Sequence, residues 1–180
     1  MTEQVARTLA AKLGWTVMQD GDRGWRRAIA SPQPQRVIEA PIIERLAREG
    51  TLIIACGGGG IAVEETAGGE LRGVEAVIDK DRASALLAIE MRADLLMIPT
   101  GVPRVAIRFG KPDQQWLDRI TVAEAEKYAA EGHFGAGSMG PKIEALVTFA
   151  KGRPGGRGVI TDAPNIDKAL RGEIGTWISA

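Results

Sequence analysis

The 180-residue sequence has a single cysteine and a single histidine. Cys56 alone forms no intrachain disulfide, so a disulfide framework is excluded and a reducing cytoplasm suits the chain. With His133 as its only companion, it offers too few nitrogen and sulfur ligands for a dedicated zinc site; magnesium carried in by a nucleotide stays open. Net charge is also missing, because 23 basic residues balance 23 acidic ones. The basic side chains are scattered apart from Arg23 to Arg27, so neither nucleic acid nor a membrane surface is indicated as a partner. Aromatic residues are 4% of the chain, too few for an arginine–aromatic nucleic-acid surface, and Trp15, Trp25, Arg26 and Arg27 read as hairpin packing. No apolar run approaches the roughly 20 residues that span a bilayer. The opening Met1-Thr2-Glu3-Gln4 lacks the basic-then-apolar pattern of a secretory signal.

What is present suits one α/β domain with a sizeable core. Val5, Leu9 and Leu13 predict an amphipathic helix over 3–13. Residues 15–18 and 25–29 predict two strands around the turn formers of 19–24. A helix is expected over 41–49, with Pro41 in its first turn and Gly50 closing it. Leu52 to Cys56 is an uninterrupted apolar run, as expected of a strand covered on both faces. Helices over 81–91, from Thr121, over 138–150 and over 165–170 alternate with strands at 95–98, 105–107, 158–161 and 176–178. Thr121 with Glu124 reads as a capping box. This alternation implies a largely parallel sheet with right-handed crossovers.

Three segments carry candidate chemistry. Gly57, Gly58, Gly59 and Gly60 follow the apolar run at the end of a strand, where ligands bind in open α/β folds. Bare backbone there lets amides approach an anion, or it makes a tight turn. The dinucleotide spacing and the Gly-Lys-Ser/Thr of a Walker loop are both missing. Asp79, Lys80 and Asp81 open a helix, where either carboxylate serves as a cap. A lysine at that end is disfavoured by the helix dipole and asks for a counterion, a carboxylate or a phosphate. Lys142 sits in the first turn behind Ser138 and Pro141, either solvated or adding its charge to an anion site made by free amides. His133 reads as an ordinary C-terminal capping residue, and Cys56 as a small core residue with no base beside it in sequence.

From Trp15 onward the chain resembles carbamate kinase, of the amino-acid-kinase superfamily. The matching text includes Gly24-Trp25-Arg26-Arg27, Ser31-Pro32-Gln33-Pro34, Ile54-Ala55-Cys56 with the four glycines, and Gly73 to Asp81. Further along it includes Ala93-Asp94-Leu95-Leu96, Phe109-Gly110-Lys111-Pro112, Glu131-Gly132-His133-Phe134, Gly137-Ser138-Met139-Gly140-Pro141-Lys142 and Gly175-Thr176. The resemblance implies a three-layer α/β/α fold, reversible phosphoryl transfer between carbamoyl phosphate and ADP, Mg2+ with ATP or ADP, a cytoplasmic homodimer and a place in arginine catabolism. By that likeness Lys142 contacts the nucleotide phosphates, Lys80 sits across the transferring group, and Asp81 orients the lysines. Gly57 to Gly60 line the acceptor side, while Thr100, Gly101, Val102 and Met139 border the nucleotide. Residues 1–40 correspond to a protruding hairpin subdomain with its lead-in, and 41–180 to the nucleotide-binding portion.

The departures are as informative. Family members begin with a strand and a Gly-Gly-Asn-Ala-type loop, and carry a Lys-Pro-(Ile/Val)-Gly-Pro segment before the protruding subdomain; neither has a counterpart here. Ala62 stands where proline is usual, and Pro99 precedes Thr100. The sequence therefore reads as a C-terminal portion of such a kinase, and strands 52–56 and 95–98 are expected to be left uncovered. An inert nucleotide-binding or dimerisation module, or one half of a split kinase, are the alternative readings.

Overall fold

The structure, a computed structural model, describes every residue except Ala136, and for Asp22 the backbone only. The chain divides into two compact units, Met1–Pro32 with Ile61–Ile78, and Gln33–Gly60 with Asp79–Ala180.

In the first unit, helix α1 (Glu3–Leu13) starts behind Thr2, whose hydroxyl accepts from the Val5 amide, and ends at Gly14 in the left-handed region. Strands β1 (Val17–Gln19) and β2 (Trp25–Arg27) form the expected antiparallel hairpin. Arg7 lies over the Trp25 ring and Arg27 over Trp15, so these rings pack against local arginines, as cation–π contact favours. A second hairpin, β3 (Val63–Glu65) with β4 (Leu71–Gly73), was not expected from the sequence. Its turn closes through Thr66 N–H donating to the Glu70 carbonyl, with Gly69 at positive φ.

The second unit holds α2 (Ala40–Arg48), α3 (Lys80–Glu90), α4 (Val122–Ala130), α5 (Met139–Gly152) and α6 (Ile166–Leu170). Its strands are β5 (Leu95–Thr100), β6 (Val105–Ile107), β7 (Gln115–Leu117), β8 (Arg119–Thr121), β9 (Arg157–Asp162) and β10 (Thr176–Ser179). The four-stranded sheet runs β5-β9-β10-β8. Its β5–β9 and β10–β8 pairings are parallel and its β9–β10 pairing antiparallel, giving the expected α/β class with a mixed, mainly parallel sheet.

Period-two alternation sorts the strand side chains between two layers. Leu96, Ile98, Ile120, Ile160 and Ile178 face α3, α4 and α5, whose Ala85, Ala125, Ile143, Leu146 and Phe149 complete the main core. Leu95, Met97, Val159 and Trp177 gather on the opposite side with Ala169 of α6. Helix α5 packs close because β9 has no side chain at Gly158: a Cβ there would lie 2.9 Å from a Leu146 methyl. Hairpin β6–β7 is tied to this body by Thr176. Its buried hydroxyl accepts from Val105 N–H at 2.8 Å and donates to the Leu117 carbonyl. The capping box at Thr121 forms as expected, with Glu124 N–H donating to the Thr121 hydroxyl and Thr121 N–H to the Glu124 carboxylate. No described helix is long and apolar enough to cross a membrane.

One expected strand is absent. Residues 52–56 form no ladder, and Leu52 and Ile54 are 93% and 96% exposed while Ile53, Ala55 and Cys56 are half-buried. An apolar run becomes a strand only beside a hydrogen-bonding neighbour, and among the described residues no strand pairs with this one. The expectation of uncovered apolar surface therefore holds at Leu52 and Ile54. It fails at 95–98, where β5 is covered, with Leu96 and Ile98 buried beneath the helices.

Candidate functional site

The site starts from two helix N-termini lying side by side. Helix α3 is capped by Asp79, whose Oδ1 accepts from the amides of Asp81 at 2.9 Å and Arg82 at 3.2 Å. This settles which carboxylate is the cap, and it frees Asp81 for another task. Asp81 is 6% exposed, the one charged side chain among the buried residues described. A buried carboxylate needs a partner, and it has one: Lys142 Nζ donates to Asp81 Oδ2 at 2.9 Å.

Lys142 is the fourth residue of α5, and its side chain is 13% exposed. Lys80 Nζ stands 3.8 Å from the same Asp81 oxygen with its side chain 57% exposed. One carboxylate thus holds a buried ammonium and stands near an open one. The trio carries a surplus positive charge at the positive ends of two helix dipoles, and such a place attracts an anion. Ser138 stands at the α5 cap position, but its hydroxyl makes no capping hydrogen bond.

Lys80, Asp81 and Lys142 are therefore brought together. The remaining expected residues stand apart from them in bonding: among the described residues no hydrogen bond or ion pair joins the trio to Gly57–Gly60 or to Thr100–Val102. The glycine run is a turn in which Gly57, Gly59 and Gly60 have φ of 46°, 135° and 86°. Glycine adopts these angles freely, whereas Cys56, at φ 59°, adopts one without that freedom. Thr100 closes β5 opposite Asp162 of β9; Gly101 and Val102 follow at the carboxyl end of these parallel strands. Met139 opens α5 and packs against the main core.

His133 ends the turn after α4, its Nε2 3.3 Å from a Glu131 carboxylate oxygen and its ring edge-on to Tyr128, which fits a local structural role. Cys56 is half-buried rather than a core residue. Burial first, and then the charges of Glu39 and Glu90, push its thiol above the ordinary value, so it is a poor nucleophile near neutrality.

Sequence reasoning missed the neighbours of this trio. Arg82 Nη2 meets Glu144 Oε2 at 3.0 Å, and Gln33 Nε2 donates to Glu144 Oε1 at 2.7 Å. An adjacent cavity of about 480 Å3 between α3, α4 and α5 is lined by Arg82 and Glu144 together with Glu126, Phe134 and Pro141. Asp81 and Lys142 do not line it, so the cavity is separate from the charged trio. The only sequence signal for these contacts is opposite charge one or two positions from Asp81 and Lys142.

Comparison with known proteins fits this arrangement. The chain is 49% identical to carbamate kinase of Thermococcus kodakarensis over 98% of its own length and 55% of the relative's. To the carbamate kinase-like protein YahI of Escherichia coli it is 51% identical, over 91% of this chain and 52% of that one. Among solved structures, carbamate kinase from Giardia lamblia bound to AMP-PNP superposes with a TM-score of 0.87 at 39% identity, over 99% of this chain and 56% of that one. The chain spans about half the length of the curated relatives it matches. Residues 2–162 match the amino acid kinase family, and with paired helix starts that bear a buried lysine–aspartate pair on an α/β body, the chain belongs to that family.

Proposed function

We propose that this chain provides the nucleotide-side portion of a carbamate-kinase-type phosphotransferase site, for reversible transfer between carbamoyl phosphate and ADP that yields ATP and carbamate. The observation that carries this reading is Asp81 held between Lys142 and Lys80 at the starts of α3 and α5. Phosphoryl transfer depends mostly on positioning and charge neutralisation. Lys142, fixed by Asp81, meets the nucleotide phosphates and offsets charge on the group in flight. Lys80, more exposed, reaches the same group from the other side. Asp81 aims both ammonium groups and takes no proton; carbamate oxygen is already anionic and needs no base. In the direction of ATP synthesis, a β-phosphate oxygen of ADP forms the new P–O bond while the bond from phosphorus to the carbamoyl oxygen breaks, and carbamate leaves with that electron pair.

The backbone of Gly57–Gly60 lines the acceptor side, and Thr100, Gly101, Val102 and Met139 border the nucleotide. Residues 1–40 act as the protruding subdomain and 41–180 as the nucleotide-binding portion. Among the described residues no group of three or more histidine, cysteine or carboxylate side chains could hold a metal. On this reading Mg2+ arrives on the nucleotide and keeps its waters, supplying neutralisation of phosphate charge. A cytoplasmic homodimer is part of this reading.

Exposed Leu52 and Ile54, in a chain that spans about half of its relatives, favour a second reading: an inert nucleotide-binding or dimerisation module, or half of a split kinase. ATP formation from carbamoyl phosphate and MgADP, measured alongside ADP affinity, separates the two. Turnover abolished by Lys142→Ala supports transfer by the chain itself; ADP binding without turnover supports the second reading. Lys142→Ala is expected to weaken ADP binding more than Lys80→Ala does, and equal losses would overturn the assignment of Lys142 to the nucleotide side.

A further inference from the structure

We infer that Arg82, Glu144 and Gln33 form a latch that positions Lys142 against Asp81; this rests on the reading of Lys142 as the group that meets the nucleotide phosphates. Helices α3 and α5 are joined near their N-termini by two ion pairs of opposite polarity. The inner pair sets an acid of α3, Asp81, against a base of α5, Lys142. The outer pair sets a base of α3, Arg82, against an acid of α5, Glu144. A slip of either helix would bring Asp81 towards Glu144, or Arg82 towards Lys142, and like charges repel at such range. The alternation therefore specifies one relative placement of the two helix starts.

A second observation makes the latch matter. The α3 start is fixed by the Asp79 cap, whereas the α5 start lacks a side-chain capping bond from Ser138. A first turn without that bond relies on other contacts to keep its side chains aimed. Glu144 supplies them from two directions, accepting from Arg82 on α3 and from Gln33 in the extended segment ahead of α2. The 480 Å3 cavity beside Arg82 and Glu144 gives the Glu144 side chain room to shift once its bond to Arg82 is lost. Substitution there leaves the core untouched, so the variants are expected to fold. Arg82 and Glu144 are positioning residues that act through Lys142.

The test is site-resolved trace acetylation of the lysine amines, read by mass spectrometry, on the wild type, Glu144→Gln, Arg82→Gln and Arg82→Lys. Loosening one pair in a coupled network changes its neighbour measurably, so Lys142 is expected to label about three- to tenfold faster in Glu144→Gln and Arg82→Gln. Lys80 should label as in the wild type, far-UV circular dichroism should be unchanged, and Arg82→Lys, which keeps the bridging charge, should restore protection. Lys142 labelling that stays at the wild-type rate in both glutamine variants would overturn the proposal. So would faster labelling of all lysines together, or an increase that Arg82→Lys fails to reverse. MgADP binding is measured in parallel. A wild type that binds no MgADP ends the phosphotransfer reading, while the labelling pattern still decides the latch.

Discussion

Replacing Asp81 by asparagine keeps the shape of the side chain and removes its charge, which isolates the electrostatic role of the one charged residue among the buried ones described. At the observed 2.9 Å, two unit charges attract by about 6 kcal/mol at an effective dielectric of ~20. Desolvation of both groups takes back most of that attraction, so the net worth of the pair is smaller than the cost of breaking it from one side. Asp81→Asn leaves the Lys142 ammonium largely buried between two helix N-termini, with only a neutral amide as acceptor. Because Lys142 retains some contact with water, the expected loss is about 2–4 kcal/mol, at and just below the range for opening a fully buried pair. For a chain of this size that corresponds to a fall of roughly 5–15 °C in Tm. The assay is urea unfolding of the wild type, Asp81→Asn, Lys142→Met and the double variant, which yields a coupling energy expected at about 1–3 kcal/mol. Lys80→Met serves as contrast: its ammonium is 3.8 Å away and mostly exposed, so it should cost no more than ~0.5 kcal/mol. Additive effects in the cycle, or equal costs for Lys80→Met and Lys142→Met, would refute the reasoning that Asp81 is there to hold Lys142.

Three further outcomes are expected. Alkylation of Cys56 by iodoacetamide should show a pH midpoint above that of a free-thiol peptide, because burial and then Glu39 and Glu90 disfavour the thiolate; Glu90→Gln should lower the midpoint, and one at or below the peptide's would contradict this. Glu124 is held below the ordinary carboxylate value, first by the Thr121 amide and then by its hydroxyl. Its contribution to stability is therefore full above the unfolded-state pKa and lost as pH falls through the lowered folded value, so an acid unfolding limb that Glu124→Gln leaves unaltered would count against the capping box. Substituting lysine for both Leu52 and Ile54 should change stability by no more than about 0.5 kcal/mol, since both side chains are almost fully exposed. The same double variant should lower the apparent mass in light scattering if these residues mediate self-association, and a large drop in Tm would show that they are covered.

The features legible in the sequence are those fixed by local chemistry. The Thr121–Glu124 box and the helical spacing of α1 each depend on residues a few positions apart. The apolar runs at Leu95–Ile98 and Val159–Ile160 likewise read directly as strands, and the fold places their alternate side chains on two faces of the sheet. Features that depend on a distant neighbour were not legible. Leu52 to Cys56 has the composition of a buried strand and lacks the pairing that makes one. Strands β3, β4, β7 and β8 are three residues each, too short for a periodic signal to stand out. At the site, the puzzle of lysines at two helix starts was visible in the residues themselves, whereas Asp81 as their organiser came only with the family resemblance. Either Asp79 or Asp81 could cap α3 by sequence; the fold decides, making Asp79 the cap and leaving Asp81 for Lys142.

The Thr176 hydroxyl has a consequence for how the molecule breathes. By accepting from Val105 N–H and donating to the Leu117 carbonyl, it fastens both strands of the β6–β7 hairpin to β10, a strand paired on both sides. A peripheral hairpin ordinarily opens by itself, at low cost. This one opens only when the middle of the sheet lets go, so the Val105 amide should exchange with deuterium as slowly as those of β10. The segment between β5 and β6, which begins with Gly101 and Val102, is thereby strung between two anchored ends.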